Sequence, residues 1–283
     1  MYLDKECVGC IIDQSLRVAK TINADKNLTS KIYQHVTELS KNFSFTLSPP
    51  EVATPVYQDM SKLAQKIDLY KEVKQLSTQK AKSYIPYLQN YLKNSKNIFF
   101  DATKIAVAGN VIDLATPTHF DLHDELNKIF DTNFAIDNTD ILFKKLQNAK
   151  IVVYLADNAG EHIFDKLYIQ TLLSLFPNLN IYYLTRDKPI INDITYNEVL
   201  EDGFNNICNL VNSGVSSPGF LPNIANKESI DLYTKADVII SKGMGNYETL
   251  SEEKRDIFFL LKVKCSVVAK SLSLNVGDIV CKI

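Results

Sequence analysis

The chain has 283 residues, of which 46% are hydrophobic and 23% charged, and its 31 basic residues are offset by 33 acidic ones to leave a formal net charge of −2. Binding to a nucleic-acid backbone, which draws on an excess of Lys and Arg, is therefore a poor fit, and no nucleic-acid partner is expected. No apolar stretch reaches the roughly 18 residues of a membrane span, and Met1 to Glu6 lacks the charged-then-apolar order of a signal peptide, so a cytoplasmic protein without a membrane partner is expected.

Near the start, Cys7 and Cys10 form a lone C-x-x-C. A structural zinc site needs two further ligands, and Cys208, Cys265 and Cys281 give no second pair, so reduced, packed thiols are the expectation. As far as about residue 130 the texture is helical. Leu28, Ile32, Val36, Leu39 and Phe43 recur at helical spacing, as do Val56, Met60, Leu63 and Ile67, and Pro49-Pro50 marks the turn between the two stripes. His35, at the edge of the first stripe, reads as a partly packed histidine. Further helices are expected over about 70–95 and 100–113. Beyond about residue 148 the pattern becomes short apolar runs alternating with helical segments. Strands are expected at 151–155, 181–184, 238–240 and 258–263, with a weaker run at 207–211. Alternation of this kind gives an α/β fold: a Rossmann-like three-layer α/β/α core with a mostly parallel sheet, preceded by an all-helical N-terminal part. The expected division is 1–135 and 136–283, with the junction at Asp131 to Asn138.

In such a sheet ligands bind beyond the carboxyl ends of the strands. The first run leads into Asp157-Asn158-Ala159-Gly160-Glu161, whose oxygens suit a hard divalent cation and whose Gly160 lets the chain turn into a helix; a plain helix N-cap explains the same residues. The second run leads to Asn192-Asp193, a second carboxylate at the same sheet edge, with Arg186 either facing the crevice or solvated. The third gives Ser241-Lys242-Gly243-Met244-Gly245-Asn246, where glycines at a strand-to-helix junction bring backbone N–H groups to an anion and Lys242 adds a point charge. Neither a Walker A loop nor G-x-G-x-x-G is present. Asn110, in Gly109-Asn110-Val111-Ile112-Asp113, and Ser213, after the weaker run, are a helix cap and a loop residue on one reading and an amide and a hydroxyl reaching the crevice on another.

Taken in order, these segments resemble the metal-dependent damage-control phosphatases. The resemblance spans nearly the whole chain, from Cys7-Val8-Gly9-Cys10 and Asp68-Leu69-Tyr70 to Lys74, through the segments above, to Lys188-Pro189-Ile190-Ile191-Asn192-Asp193-Ile194-Thr195, Lys242 to Leu250 and Leu260 to Cys265. Leu69 stands where a proline is frequent and Glu198 where an Asp is usual. The N-terminal cysteine pair resembles the stand-alone microbial branch. The resemblance implies a divalent metal ion (Mn²⁺, Co²⁺, Ni²⁺ or Mg²⁺) held by Asp157, Asn158 and Asp193, and a small phosphorylated metabolite, such as a sugar phosphate, contacted by Lys242 and Asn246. The expected site therefore has Asp157, Asp193 and Lys242 in catalysis, and Asn110, Glu161, Ser213, Gly243, Gly245 and Asn246 in substrate binding. Hydrolysis by direct attack of water is favoured, because both aspartates are committed to metal. Two alternatives remain: a methyltransferase, although such enzymes usually carry a glycine-rich turn where Asp157-Asn158 stands, and a non-catalytic module that binds phosphorylated metabolites.

Overall fold

The helices start where the sequence supplies caps. Asp4 accepts a hydrogen bond from the Glu6 amide to open α1 (Lys5–Thr21), and Asp25 does so from Leu28 to open α2 (Lys26–Ser40). Pro49 and Pro50 lie in the first turn of α3 (Pro49–Ala64), where no N–H is needed, behind a capping box of Ser48 and Glu51. Then come α4 (Lys71–Lys93) and α5 (Ile98–Val111). In this computed structural model residues 1–111 and 130–283 are described; residues 112–129 and the side chains of Asn110 and Val111 lie outside that set.

The second half follows as β1 (Ile136–Asp137), α6 (Thr139–Asn148), β2 (Ile151–Leu155), α7 (Glu161–Leu175), β3 (Asn180–Thr185), α8 (Tyr196–Glu201) and β4 (Asn209–Asn212). It continues with α9 (Lys227–Lys235), β5 (Val238–Lys242), α10 (Gly243–Leu250), β6 (Phe258–Lys262), α11 (Ser266–Leu272) and β7 (Ile279–Lys282). Among the described residues the strands form one sheet in the order β1-β7-β6-β5-β2-β3-β4, parallel throughout except for β6 against β7. The α/β class, the mostly parallel sheet and the helical N-terminal part are as read from the sequence. No described helix is long and apolar enough to cross a membrane.

Side chains alternate across the sheet with the period of two that a strand imposes. Val152, Tyr154, Val238, Ile240, Phe258 and Leu260 face one core, which also takes up Leu88, Ala102, Ile105 and Phe164 from α4, α5 and α7. Val153, Leu155, Ile239, Phe259 and Leu261 face the other, with Tyr233, Tyr247 and Val268 from α9, α10 and α11. Both faces are covered, which is why the strands read as unbroken apolar runs. The apolar clusters cut across the expected division at residue 135: α4 and α5 form part of one layer of the sandwich, while α1, α2 and α3 build a cluster of their own around Val18, Ile32, Val36, Val56 and Met60. That smaller cluster rests on Ile190 and Val267, two residues at the carboxyl edge of the sheet.

Candidate metal and phosphate site

The connections change direction at β2: the chain runs outward through β3 and β4, then returns to place β5 on the other side of β2. A crevice opens at such a switch point, beyond the strand ends. Asp157 follows β2 and Gly243 follows β5, and the two are so close that a Cβ on Gly243 would lie 1.9 Å from Oδ2 of Asp157. Gly243 also has φ +77°, a backbone that only glycine adopts cheaply.

The β2–α7 and β3–α8 loops are stitched together by backbone. The Ala159 amide donates to Asn192 O at 2.8 Å, the Ile194 amide donates to Asp157 O at 2.9 Å, and Asn158 and Asp193 form an antiparallel bridge. Gly160, at φ +89°, turns the first loop into α7. Ile191 holds φ +45°, a left-handed conformation costly for a β-branched residue, immediately before Asn192-Asp193.

Asp157, Asn158 and Asp193 line one cavity of about 450 Å³. Its other walls are Cys7, Cys10, Ile11 and Gln14 of α1, Pro50 and Tyr57 of α3, Gly245 and Glu248 of α10, and Lys264 to Val267 after β6. The helical cluster thus roofs the carboxyl edge of the sheet. Within the floor, Nδ2 of Asn158 donates to Asp157 Oδ2 at 2.8 Å and to Glu161 Oε1 at 2.9 Å. Nε of Arg186 donates to Asp193 Oδ1 at 2.9 Å.

Burial, together with the charges of Glu161 and Asp193, pushes the Asp157 carboxyl well above the usual carboxylate range. Burial also raises Asp193 to about 7, against the opposing pull of Arg186 and Lys74. Crowded, desolvated carboxylates of this kind are relieved by a cation. Among the described residues no group of three or more His, Cys, Asp or Glu side chains could hold a metal ion. The set here is two carboxylates and one amide, all hard oxygen donors of the type Mg²⁺ and Mn²⁺ prefer. It fits a divalent cation of that class.

Residues 3–280 match the family model of the damage-control phosphatase ARMT1-like domain. The chain belongs to this family. A damage-control phosphatase from Pyrococcus horikoshii is 30% identical over 99% of this chain and 98% of its own length. Another, from Archaeoglobus fulgidus, is 29% identical over 100% of this chain and 99% of its own. The crystal structure of a DUF89 family protein from Pyrococcus horikoshii matches with a TM-score of 0.92 at 30% identity, covering 99% of this chain and 98% of that one. The chain is accordingly a phosphatase with a metabolite-repair role, as the resemblance implied.

The damage-control phosphatase site gathers some of the expected residues and not others. Asp157, Asn158, Asp193 and Gly245 reach the cavity. Lys242 does not line it: it is fully buried, and its ammonium lies 2.6 Å from Asp165 Oδ1 and 3.4 Å from Glu161 Oε2. Burial alone would lower its pKa, and the charges of Asp165, Glu161 and Asp157 outweigh that and raise it. Asn246 is likewise turned inward. Its Oδ1 accepts from Phe220 N at 2.7 Å and Arg186 Nη2 at 3.0 Å, and its Nδ2 donates to Lys242 O at 2.8 Å and Ala156 O at 3.0 Å, so its hydrogen-bonding capacity is used in tying β2, β5 and the Arg186 side chain together. Ser213, also buried, accepts from the Val215 amide at 3.1 Å and shapes its own turn. Glu161 is buried between Asn158 and Lys242, beneath the cavity floor. The Asn110 side chain lies outside the described residues; its neighbour Gly109 packs so closely that a Cβ there would sit 3.1 Å from Glu161 Cα. Arg186 is not solvated: it is buried, its Nε donating to Asp193 and its Nη2 to Pro218 O and Asn246.

Among the described residues the cationic side chain that lines the cavity is Lys264, an exposed residue whose charge pulls down on the Asp157 pKa. It stands two residues beyond β6, so the strand-end rule, applied to the fourth run as it was to the first three, points to it. Lys74 lies behind the Asp193 loop. Buried at 1% exposure, it pairs with Asp68 at 2.7 Å and with Glu198 at 2.8 Å, while Glu198 caps Thr195. This ion pair ties the start of α4 to the first turn of α8, directly after the loop that carries Asp193. Cys7 is buried, which raises its thiol to about 11, and Cys10 is exposed; both are free.

Proposed function

We propose that this phosphatase hydrolyses small phosphorylated metabolites, sugar phosphates among them, with a divalent cation held by Asp157, Asn158 and Asp193. The observation that carries the reading is the convergence of these three side chains on one cavity floor, with Lys264 at its wall. A bound divalent cation supplies Lewis acidity toward a phosphoryl oxygen and lowers the pKa of water. The protein's own residues do the rest. Lys264 offsets the charge of the phosphoryl group, while Gly245, where a Cβ would lie 2.2 Å from Pro218 O, lets α10 pack against the loop at the cavity wall. Arg186 and Lys242 act from below, fixing the carboxylates rather than touching substrate. With Asp157 and Asp193 both needed to hold the cation, neither would be left to take up the phosphoryl group: water would attack the phosphorus directly, the ester P–O bond would break, and the metabolite would leave as its alcohol, protonated by the proton that water gives up, with inorganic phosphate as the other product. The roof from α1 and α3 excludes bulk water and selects the body of the substrate.

The relatives lend no support to methyl transfer or to a module without catalysis. The test is release of inorganic phosphate from a panel of sugar phosphates and an aryl phosphate. Turnover of phosphomonoesters is the expected result, and their binding without turnover counts against the reading.

A further inference from the structure

Asp165 is buried and does not line the cavity, yet it anchors a continuous polar chain that ends at the cavity floor. Its Oδ1 accepts from Tyr154 Oη at 2.6 Å and from Lys242 Nζ at 2.6 Å, and its Oδ2 accepts from Tyr183 Oη at 2.9 Å. Lys242 reaches on to Glu161 Oε2 at 3.4 Å, and Glu161 Oε1 accepts from Asn158 Nδ2 at 2.9 Å. Glu161 and Asp165 are one helical turn apart on α7, so a single face of that helix carries both carboxylates to one lysine.

The chain fixes one degree of freedom at the site. Asn158 has two amide orientations, and the flipped one would put its oxygen against both Asp157 and Glu161, oxygen facing oxygen. With Nδ2 held by the two carboxylates, Oδ1 is the atom left for the cavity. The longer of the two Lys242 contacts is the one to Glu161. Take the Asp165 charge away and the buried ammonium has Glu161 as its nearest anion, which draws Glu161 off Asn158. We propose that Asp165 is a positioning residue for the cation site: by holding Lys242 back, it keeps Glu161 on Nδ2 of Asn158 and Oδ1 of Asn158 aimed into the cavity. This rests on the reading that Asp157, Asn158 and Asp193 hold a divalent cation.

The test is titration of the metal-free, full-length protein with Mn²⁺, with free Mn²⁺ followed by electron paramagnetic resonance. Asp165→Asn, which keeps shape and removes charge, is expected to weaken Mn²⁺ binding by about 10-fold, the low end of the range for groups bonded directly to a metal ligand, because Lys242 and Glu161 stand between it and Asn158. Tyr183→Phe, which removes one of the donors to Asp165 and keeps the ring, is expected to weaken it severalfold in the same direction. A role confined to packing lowers the melting temperature and leaves Mn²⁺ affinity alone. Wild-type affinity in folded Asp165→Asn, or in Tyr183→Phe should Asp165→Asn not fold, overturns the proposal if Asp157→Ala abolishes binding in the same assay. If Asp157→Ala itself binds Mn²⁺ as wild type does, the cation site is elsewhere, and the underlying reading falls along with the proposal.

Discussion

Oδ2 of Asp157 occupies the space that a side chain on Gly243 would fill, with only 1.9 Å between it and the Cβ position. The pair joins the ends of β2 and β5 at the switch point, so the glycine at the head of α10 admits a carboxylate. Gly243→Ala meets both a left-handed backbone and a buried clash. It is expected to cost about 2 to 5 kcal/mol, the sum of a conformational and an overpacking penalty. Denaturant unfolding measures this. A variant with wild-type stability and full activity contradicts the packing described.

Asn246→Ala separates an organising role from a phosphate contact. It removes the acceptor of the Phe220 amide and one of the two acceptors of Arg186 Nη2, which keeps Pro218 O, together with the donors to the Ala156 and Lys242 carbonyls, at about 1 to 3 kcal/mol for each group left unpaired where water cannot reach. Thermal stability should fall, while competitive inhibition of the remaining activity by inorganic phosphate stays near that of the wild type. A large loss of phosphate affinity at unchanged stability instead makes Asn246 a ligand.

Lys264→Ala should do the reverse. The residue is exposed, so the melting temperature is expected to hold, while kcat/KM for a phosphomonoester falls by about 10²-fold, the scale of losing one donor to transition-state charge. Activity close to wild type removes Lys264 from the site.

Glu248 lines the cavity on α10, and burial raises its carboxyl to about 7, against the lowering pull of the N-terminus, whose Met1 amine donates to Glu248 O at 2.7 Å. Because the folded-state pKa lies above the unfolded one, the folded protein binds the extra proton between about pH 4.5 and about pH 7. The stability that this proton provides is present below that window and is lost as pH rises through it. Glu248→Gln is therefore expected to flatten the decline in melting temperature across the window; an unchanged slope shows that Glu248 is not its source.

The sheet was legible because strands covered on both faces must be apolar throughout, as Ile151 to Leu155 and Val238 to Ile240 are. The two-residue β1 and the C-terminal β7 were not, since neither has a run long enough to stand out. At the site, strand ends told where functional residues sit but not which way they turn. Asp157 and Asp193 follow from position alone. Lys242 is also at a strand end, yet it turns into the layer under α7, because Asp165 and Glu161 lie on the helix face that covers it. That pairing depends on how α7 crosses the sheet, which no local pattern encodes. The same holds for Lys74: the Asp68 to Lys74 segment carries part of the resemblance, but its ion pair with Glu198 joins the start of α4 to α8, which are far apart in sequence.

The most direct measurement is phosphate release from an aryl phosphate by the purified protein after chelation, before and after adding Mn²⁺, Co²⁺, Ni²⁺ or Mg²⁺, with Asp193→Ala alongside. Chelation should abolish turnover, at least one of these cations should restore it, and Asp193→Ala should stay about 10²-fold or more below wild type at matched metal. Full activity in Asp193→Ala, or turnover in wild type that no chelator touches, contradicts a cation held by Asp157, Asn158 and Asp193.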